Sequence, residues 1–438
     1  MRILVCHNFY QQPGGEDEVF ASEVALLRLH GHDVTTFQLD NDVVNDMGRA
    51  AMLAATLWNR KTYQTLRQRV AEDRAEVVHF HNTFPLISPA AYYAARREGA
   101  AVVQTLHNFR LLCPGANLFR QGKVCEDCIG RHLPWPGVVH KCYRESRSAS
   151  AAVAALIAAH HVSGTWKNAV DLYLAPTEFA RKKFVAGGLP ADKLMVKPNF
   201  VDPDPGIGAG DGGFALFVAR LSNEKGIETL LQAWEKLDRP IPLKVIGDGP
   251  MAPVVDEACQ RMKHIEWLGR RPLADVYETM GRASVLIFPS RCYETFGRVA
   301  VEAYAKGTPV IASGHGAPGD IVRPGKTGTL FEPGNAAALA EAVQRMLSDP
   351  ARLATQRIAA RMEYEARYTG LANLAQLMEA YRTAIAASHA LQKSGQAHKT
   401  PIPLRIFGQP LHDDSMTSAE PSPQAMPASS SPRRKLRA

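Results

Sequence analysis

The chain has 438 residues, 46% of them hydrophobic, and a formal net charge of +8 at pH 7. That length suits two or three domains with sizeable cores, and no apolar run reaches the ~18–20 residues of a membrane span. The basic excess lies in the N-terminal half and the tail; it suits an anionic acceptor or membrane surface as well as a plain solvated face, and no nucleic-acid-binding motif accompanies it. The sequence runs directly into an apolar strand without a signal-peptide pattern, so it reads as cytoplasmic, with contact to the inner face of a membrane as an added reading.

Residues 2–6 read as a buried strand, 16–30 as an amphipathic helix capped by Gly31, and 34–39 as a second strand, together one β-α-β unit. Gly14 and Gly15 stand before the helix, where glycine lets the backbone approach a ligand closely; a plain tight turn is the alternative. The spacing is not Gly-x-Gly-x-x-Gly, which argues against a dinucleotide site. Residues 47–72 read as one or two basic amphipathic helices, packed on a sheet or lying on a membrane. Strands at 77–82 and 102–107 carry His79, His81 and His107 at or near their C-terminal ends, the rim where sites form.

Cys113, Cys125, Cys128 and Cys142 follow as Cys-x11-Cys-x2-Cys-x13-Cys in a loop-like insertion, 113–142. Thiolates so spaced suit a structural tetrahedral zinc, with free buried thiols and then redox chemistry as the alternatives. A cytoplasmic setting argues against permanent disulfides. An Ala-rich helix at 148–162, a strand at 172–175, a helix from 178 and a strand at 193–198 complete a domain spanning 1–199. The Pro-, Gly- and Asp-rich stretch 200–213 is a linker.

A strand at 214–219 opens the second half, and Arg220-x4-Lys225-Gly226 leads into a helix at 227–237. Arginine forks onto phosphate oxygens and lysine adds a point charge, so the pattern suits a diphosphate. Strands at 243–246, 265–269, 285–288 and 309–312 follow. Glu294 falls in the loop after the 285–288 strand and Glu302 in the helix at 297–306. The amides of Thr295, Phe296 and Gly297 lie at that helix start, where donors and the macrodipole favour an anion. Helices at 335–347, 352–368 and 371–391 end the fold, and the polar, Pro- and Ser-rich stretch 392–438 reads as a disordered tail.

Glu294 and Glu302 stand within Pro-Ser-x3-Glu-x-Phe-Gly-x4-Glu-Ala-x-Ala-x-Gly-x-Pro-Val. This resembles the signature of the retaining nucleotide-sugar glycosyltransferases of family 4, the glycosyl transferases group 1, and the likeness runs from residue 1 to about 385. It implies an α/β protein of the GT-B fold: two Rossmann-like parallel-sheet domains facing a central cleft. The acceptor domain would be 1–199, the nucleotide-sugar domain 214–368, and a helix at 369–391 would cross back to the N-terminal domain. The implied reaction moves a sugar from a UDP- or GDP-sugar to a hydroxyl of a glycan or lipid-linked acceptor, in cell-surface polysaccharide synthesis, with no catalytic metal. By the same likeness, Arg220 and Lys225 stabilise the leaving diphosphate, helped by the amides at Thr295, Phe296 and Gly297. Glu302 takes ribose hydroxyls, Glu294 takes sugar hydroxyls, and His107 contacts the transferred sugar. The Gly14-Gly15 loop faces the cleft near the donor phosphate. A nucleotide-sugar epimerase or phosphorylase of the same fold is one alternative. A non-catalytic binding subunit of a polysaccharide assembly is the other; it would require a lost motif residue, and none is missing.

Overall fold

The computed structural model describes residues 1–11 and 14–393. The tail expected from 392 onward lies outside them, apart from Gln392 and Lys393, which complete the last helix.

The first sheet is built from β1 (Arg2–Phe9), β2 (Asp33–Asp40), β3 (Val77–Phe80), β4 (Ala101–Thr105), β7 (Leu172–Ala175) and β8 (Leu194–Val196). Between β4 and β7, the short pieces β5 (Phe119–Arg120) and β6 (Lys123–Val124) form an antiparallel hairpin. Gln121 and Gly122 both have positive φ at its tip, the two-residue turn whose twist matches a hairpin. The second sheet holds β9 (Ala215–Val218), β10 (Leu243–Ile246), β11 (Ile265–Gly269), β12 (Val285–Phe288), β13 (Val310–Ser313) and β14 (Gly328–Phe331).

Both six-stranded sheets are parallel throughout, ordered β2-β1-β3-β4-β7-β8 and β11-β10-β9-β12-β13-β14. Strands β3, β4, β7, β12 and β13 are buried at every residue, as strands in a sheet covered on both faces should be. Strand order reverses between β1 and β3 in the first sheet and between β9 and β12 in the second. Such reversals open a crevice at the carboxyl ends of the strands. The two crevices carry His81 and Asn82 in one half, and Arg220, Lys225 and Glu294 in the other.

Two chain crossings join the halves side by side. The linker's Val201 N–H donates to the Tyr368 carbonyl (3.0 Å), and the Tyr364 hydroxyl donates to the Val201 carbonyl (3.0 Å). The helix Gly370–Lys393 then returns to the first sheet. Its Leu377, Met378, Ala380, Tyr381 and Ala384 pack with Ile3, Val5, Val103 and Leu174, so the expected crossover helix is present.

Residues 47–72 form two helices, Arg49–Leu57 and Arg60–Asp73, the second capped by the Asn59 side chain accepting from the Thr62 N–H (3.1 Å). Leu66 and Val70 enter the core, so the second helix spends its apolar face on the sheet, while Leu53 stays exposed. Helices Ala90–Arg97, Ala252–Arg261 and Leu273–Arg282, and strand β14, had no counterpart in the sequence reading. In β14 the reason is Gly328, which hides a strand: a Cβ there would lie 1.9 Å from the Val310 carbonyl oxygen, so only glycine lets this strand approach β13.

Candidate active site

The crevice of the second sheet is made by two loops that touch through their backbones. After β9, a 3-10 turn (Asn223–Lys225) ends at Gly226, whose φ is +79°. A Cβ on Gly226 would fall 2.0 Å from the Pro289 carbonyl oxygen of the loop after β12. The Arg291 N–H donates to the Glu224 carbonyl (2.8 Å), a second tie between the loops.

This close approach brings Lys225 Nζ to 2.6 Å from Glu294 Oε1, and the Ser290 hydroxyl donates to the same oxygen (2.7 Å). Burial works against ionisation of Glu294, but the Lys225 charge and the hydrogen bonds from Lys225 and Ser290 outweigh it and hold the carboxyl below its ordinary value. The same pairing holds Lys225 protonated against its own burial. Behind Glu294, His315 Nε2 lies 3.0 Å from the Ser290 carbonyl and the Ala317 N–H donates to the Glu294 carbonyl (3.1 Å). The Gly-rich stretch after β13 thus buttresses the loop.

Arg220 is exposed at the rim and makes no ion pair among the described residues. Gly297, with φ +99°, starts the helix Arg298–Ala305, and the backbone N–H groups of Thr295, Phe296 and Gly297 have no hydrogen-bond partner among the described residues. On the next turn, Glu302 Oε1 lies 2.9 Å from Arg298 Nε. Burial raises the Glu302 carboxyl above its ordinary value, Arg298 opposes this, and Glu18 from the other half adds to it.

The two halves meet at this site. The Thr295 hydroxyl donates to the His107 carbonyl (2.6 Å), and the Thr177 hydroxyl donates to the Thr295 carbonyl (3.0 Å). The Phe179 N–H donates to Asp320 (2.6 Å), and Arg291 donates to the Gly122 carbonyl at the hairpin tip (2.8 Å). Glu294, Lys225 and Arg220, expected from the sequence, therefore stand opposite the expected His107. Thr295 is an interdomain strut as well as a helix-start amide, and Phe296 is a core residue packed near Tyr368.

On the N-terminal side, Gly14 and Gly15 face open space, where even a Cβ would touch nothing within 4 Å. Gly14 N–H is held by Asp17 Oδ2 (2.7 Å). Glu16 was not singled out by the sequence; only its place after the Gly-Gly pair could have flagged it. Its Oε2 lies 3.3 Å from Asn108 Nδ2, while Oε1 is buried with no partner. Burial, with the charge of Asp17 behind it, pushes this carboxyl up to about 8 against Asn108, Tyr10 and Arg110.

A carboxyl raised in the folded state contributes stability below its unfolded value of 4.5, and that stability is lost as pH rises through about 8. The substitution E16Q removes this loss. Thermal unfolding of E16Q and wild type should diverge in favour of the variant from pH 5 to pH 8, by about 2 kcal/mol or more; parallel curves would place the charge elsewhere.

Beside Glu16, a cavity of about 290 Å³ opens in the N-terminal half, lined by Tyr10, Met52, Phe84, Tyr143, Arg144 and Val153 among others. The Arg110 guanidinium sits over Phe84 (4.6 Å) and Tyr143 (4.8 Å). Asn108, next to His107, reaches the Tyr10 hydroxyl (3.4 Å).

The four insertion cysteines form no disulfide among the described residues, and Cys113 and Cys128 are buried. Burial, then the neighbouring Cys113, pushes the Cys128 thiol up to about 12, and Cys125 and Cys142 add to it. The four thiols thus share one neighbourhood. Among the described residues, however, the ligand atoms gathered within 4.8 Å of one another are those of Glu23, His79 and His81. No helix among the described residues is long and apolar enough to cross a membrane.

Comparison with known proteins follows the same division. Residues 24–205 match the Glycosyltransferase Family 4 model and residues 207–367 match the model of glycosyl transferases group 1. An uncharacterized glycosyltransferase of Methanocaldococcus jannaschii is 34% identical over 36% of this chain and 45% of its own length, so this chain spans under half of that relative. The phosphatidyl-myo-inositol mannosyltransferase of Mycobacterium leprae is 25% identical over 90% of this chain and 99% of its own. Among solved structures, Anabaena HepE in complex with UDP superposes with a TM-score of 0.61 at 18% identity, covering 86% of this chain and 99% of the other. At that identity the likeness concerns the fold, which is GT-B. The two matched stretches adjoin at the linker and follow the two sheets, and the chain belongs to the two-domain glycosyltransferase family that joins a Family 4 N-terminal half to a group 1 C-terminal half.

Proposed function

We propose that this protein transfers a sugar from a nucleoside-diphosphate sugar to an acceptor hydroxyl with retention of configuration and without a catalytic metal. The observation that carries this reading is the Lys225–Glu294 pair at the strand-order reversal, with Arg220 beside it and three amides at the adjoining helix start, all without partners among the described residues. The donor's diphosphate fits this ring of positive charge, and Glu302 stands one helical turn on, placed for ribose hydroxyls. Glu294, held ionised, would accept hydrogen bonds from sugar hydroxyls.

As the bond from the anomeric carbon to the diphosphate oxygen breaks, negative charge grows on that oxygen, where Arg220, Lys225 and the amides are already aimed. The acceptor oxygen bonds to the same carbon from the same face, and its proton passes to the departing diphosphate. These two cations supply the charge that a metal ion supplies in other transferases. The solved relative binds UDP and the full-length relative is named for mannosyl transfer, which supports a nucleotide-sugar donor here.

For the acceptor, the cavity beside Asn108 favours a molecule with an apolar body and an anionic group near Arg144, as in a lipid-linked sugar. Met52 lines this cavity from the helix Arg49–Leu57, whose Leu53 stays exposed, which supports peripheral contact with a membrane. Burial raises the Cys125, Cys128 and Cys142 thiols, with Cys113 adding to each, and zinc would relieve this by binding the thiolates. Elemental analysis should find one zinc per chain, lost in a Cys125→Ser, Cys128→Ser protein; a metal-free wild type that folds would end the zinc reading.

The test of function is a panel of UDP-, GDP- and ADP-sugars, read by thermal shift and nucleotide release beside Glu302→Ala. A bound donor at a hundred times its Kd should add about 2.7 kcal/mol of stability, absent in the variant. Stabilisation unchanged by Glu302→Ala would move the donor away from this site.

A further inference from the structure

We infer that Glu23, acting through His81, fixes the tautomer of His107, so that His107 presents an unprotonated Nδ1 to the cleft. The inference rests on the reading of His107 as a residue of the transfer site. His107 Nε2 lies 3.0 Å from His81 Nδ1, and the two rings stack with centroids 5.1 Å apart. On the far side of His81, Nε2 lies 3.3 Å from Glu23 Oε2. Glu23 is wholly buried, and its other oxygen is held by Lys197, whose ammonium also reaches Asn373 of the terminal helix (3.3 Å).

Protons can be assigned along this line. Burial opposes ionisation of Glu23, but the Lys197 ammonium against its other oxygen outweighs it, so the carboxyl is ionised and only accepts. His81 Nε2 and Glu23 Oε2 are not aligned as a hydrogen bond and have no other hydrogen-bond partner among the described residues. A bare nitrogen lone pair 3.3 Å from a carboxylate would be repelled, however, so the proton sits on His81 Nε2. Glu23 and Lys197 already neutralise each other, and a second buried cation at His81 would have no counter-charge. His81 is then neutral with a bare Nδ1, and the proton of the 3.0 Å contact belongs to His107 Nε2. Burial keeps His107 from charging. Its lone pair is left on Nδ1, which has no partner among the described residues. A bare ring nitrogen accepts from a sugar hydroxyl and orients it; a protonated one would instead need an acceptor.

Every element around the line adds a group. His7 of β1 lies with its ring 6.3 Å from that of His81, and is itself bound to Asp17 (2.7 Å). His79 of β3 is fixed by the Thr105 hydroxyl (2.8 Å) and the Tyr381 hydroxyl of the terminal helix (2.9 Å). Glu23, His79 and His81 also meet the spacing of a metal site. Lys197 already occupies Glu23 and Tyr381 occupies His79 Nδ1, so the cluster is better matched to holding protons than a cation.

The test is long-range 1H–15N correlation of the histidine rings in the full-length protein, with His107 and His81 assigned by His107→Asn and His81→Gln. Expected in the wild type is protonated Nε2 and bare Nδ1 on both rings. A protonated Nδ1 on His107 overturns the inference, and this arm needs no variant of Glu23. In a second arm, Glu23→Leu is made together with Lys197→Met, so that no buried charge is stranded. His107 should then lose its single tautomer and show a mixture; an unchanged His107 also overturns the inference. If no sugar nucleotide binds while the tautomer is as stated, the proposed function fails alone. If a donor binds and His107 carries its proton on Nδ1, the inference fails alone.

Discussion

Replacing Lys225 with alanine should lower donor turnover by about 10²–10³-fold, the scale seen when one preorganised charge is removed from a developing oxyanion. Two effects combine. The leaving diphosphate loses one of its two cations, and Glu294 loses the partner that offsets its burial. Glu294 would then be pushed upward, because burial is the largest influence on it and acts in that direction. The variant would be deficient in both diphosphate charge and sugar orientation. Pairing Lys225→Met with Glu294→Gln separates activity from folding: the doubly neutral site should unfold close to wild type and remain inactive. Turnover of Lys225→Ala within about threefold of wild type, under 1 kcal/mol in barrier, would remove Lys225 from the chemistry.

The largest expected effect on stability comes from Lys197→Met. Lys197 and Glu23 are both fully buried, and the pair ties the helix Gly15–Leu29 to the segment after β8 and, through Asn373, to the terminal helix. Removing one partner strands a charge in the core and costs about 3–5 kcal/mol. The loss should appear as a fall in Tm on the order of 10 °C. Its pH dependence has a definite sign. In the wild type Glu23 titrates below its ordinary 4.5, so its contribution is present above that pH and is lost as pH falls through the lower, folded value. Without Lys197, burial raises the Glu23 carboxyl, and the variant is least stable at high pH. The gap between the two proteins should be widest near neutrality and narrow toward acid. A gap that is constant with pH would mean that packing, not charge, makes the difference.

Much of the second half was legible because its motif residues are local. Arg220, Lys225 and Glu294 each lie just after a short apolar run, and a parallel sheet brings the ends of neighbouring runs together. Gly226 and Gly297 were legible for the same reason: each sits where a loop turns into a helix with positive φ. The first half was harder to read. Glu23 lies within an amphipathic helix, where one carboxylate looks like a solvated residue. Its partner Lys197 is 174 positions away, and nothing local couples them. His81 and His107 stood out as strand-end histidines, but their contact depends on the pairing of β3 with β4. Glu16 was masked by Asp17 and Glu18, an acidic first turn of the kind that favours any helix. The helix Ala90–Arg97 escaped notice because its eight residues are too short for a clear period.

The most direct test of the donor site is calorimetric titration of UDP and GDP into wild type and Arg220→Ala. Arg220 is exposed and makes no ion pair among the described residues, so its loss should leave the fold alone. One nucleotide should bind the wild type, and Arg220→Ala should weaken it by about tenfold or more, the worth of a charge-assisted phosphate contact. Equal affinity for both proteins would mean that the diphosphate does not sit between Arg220 and Lys225, and the site built on that pair would be wrong.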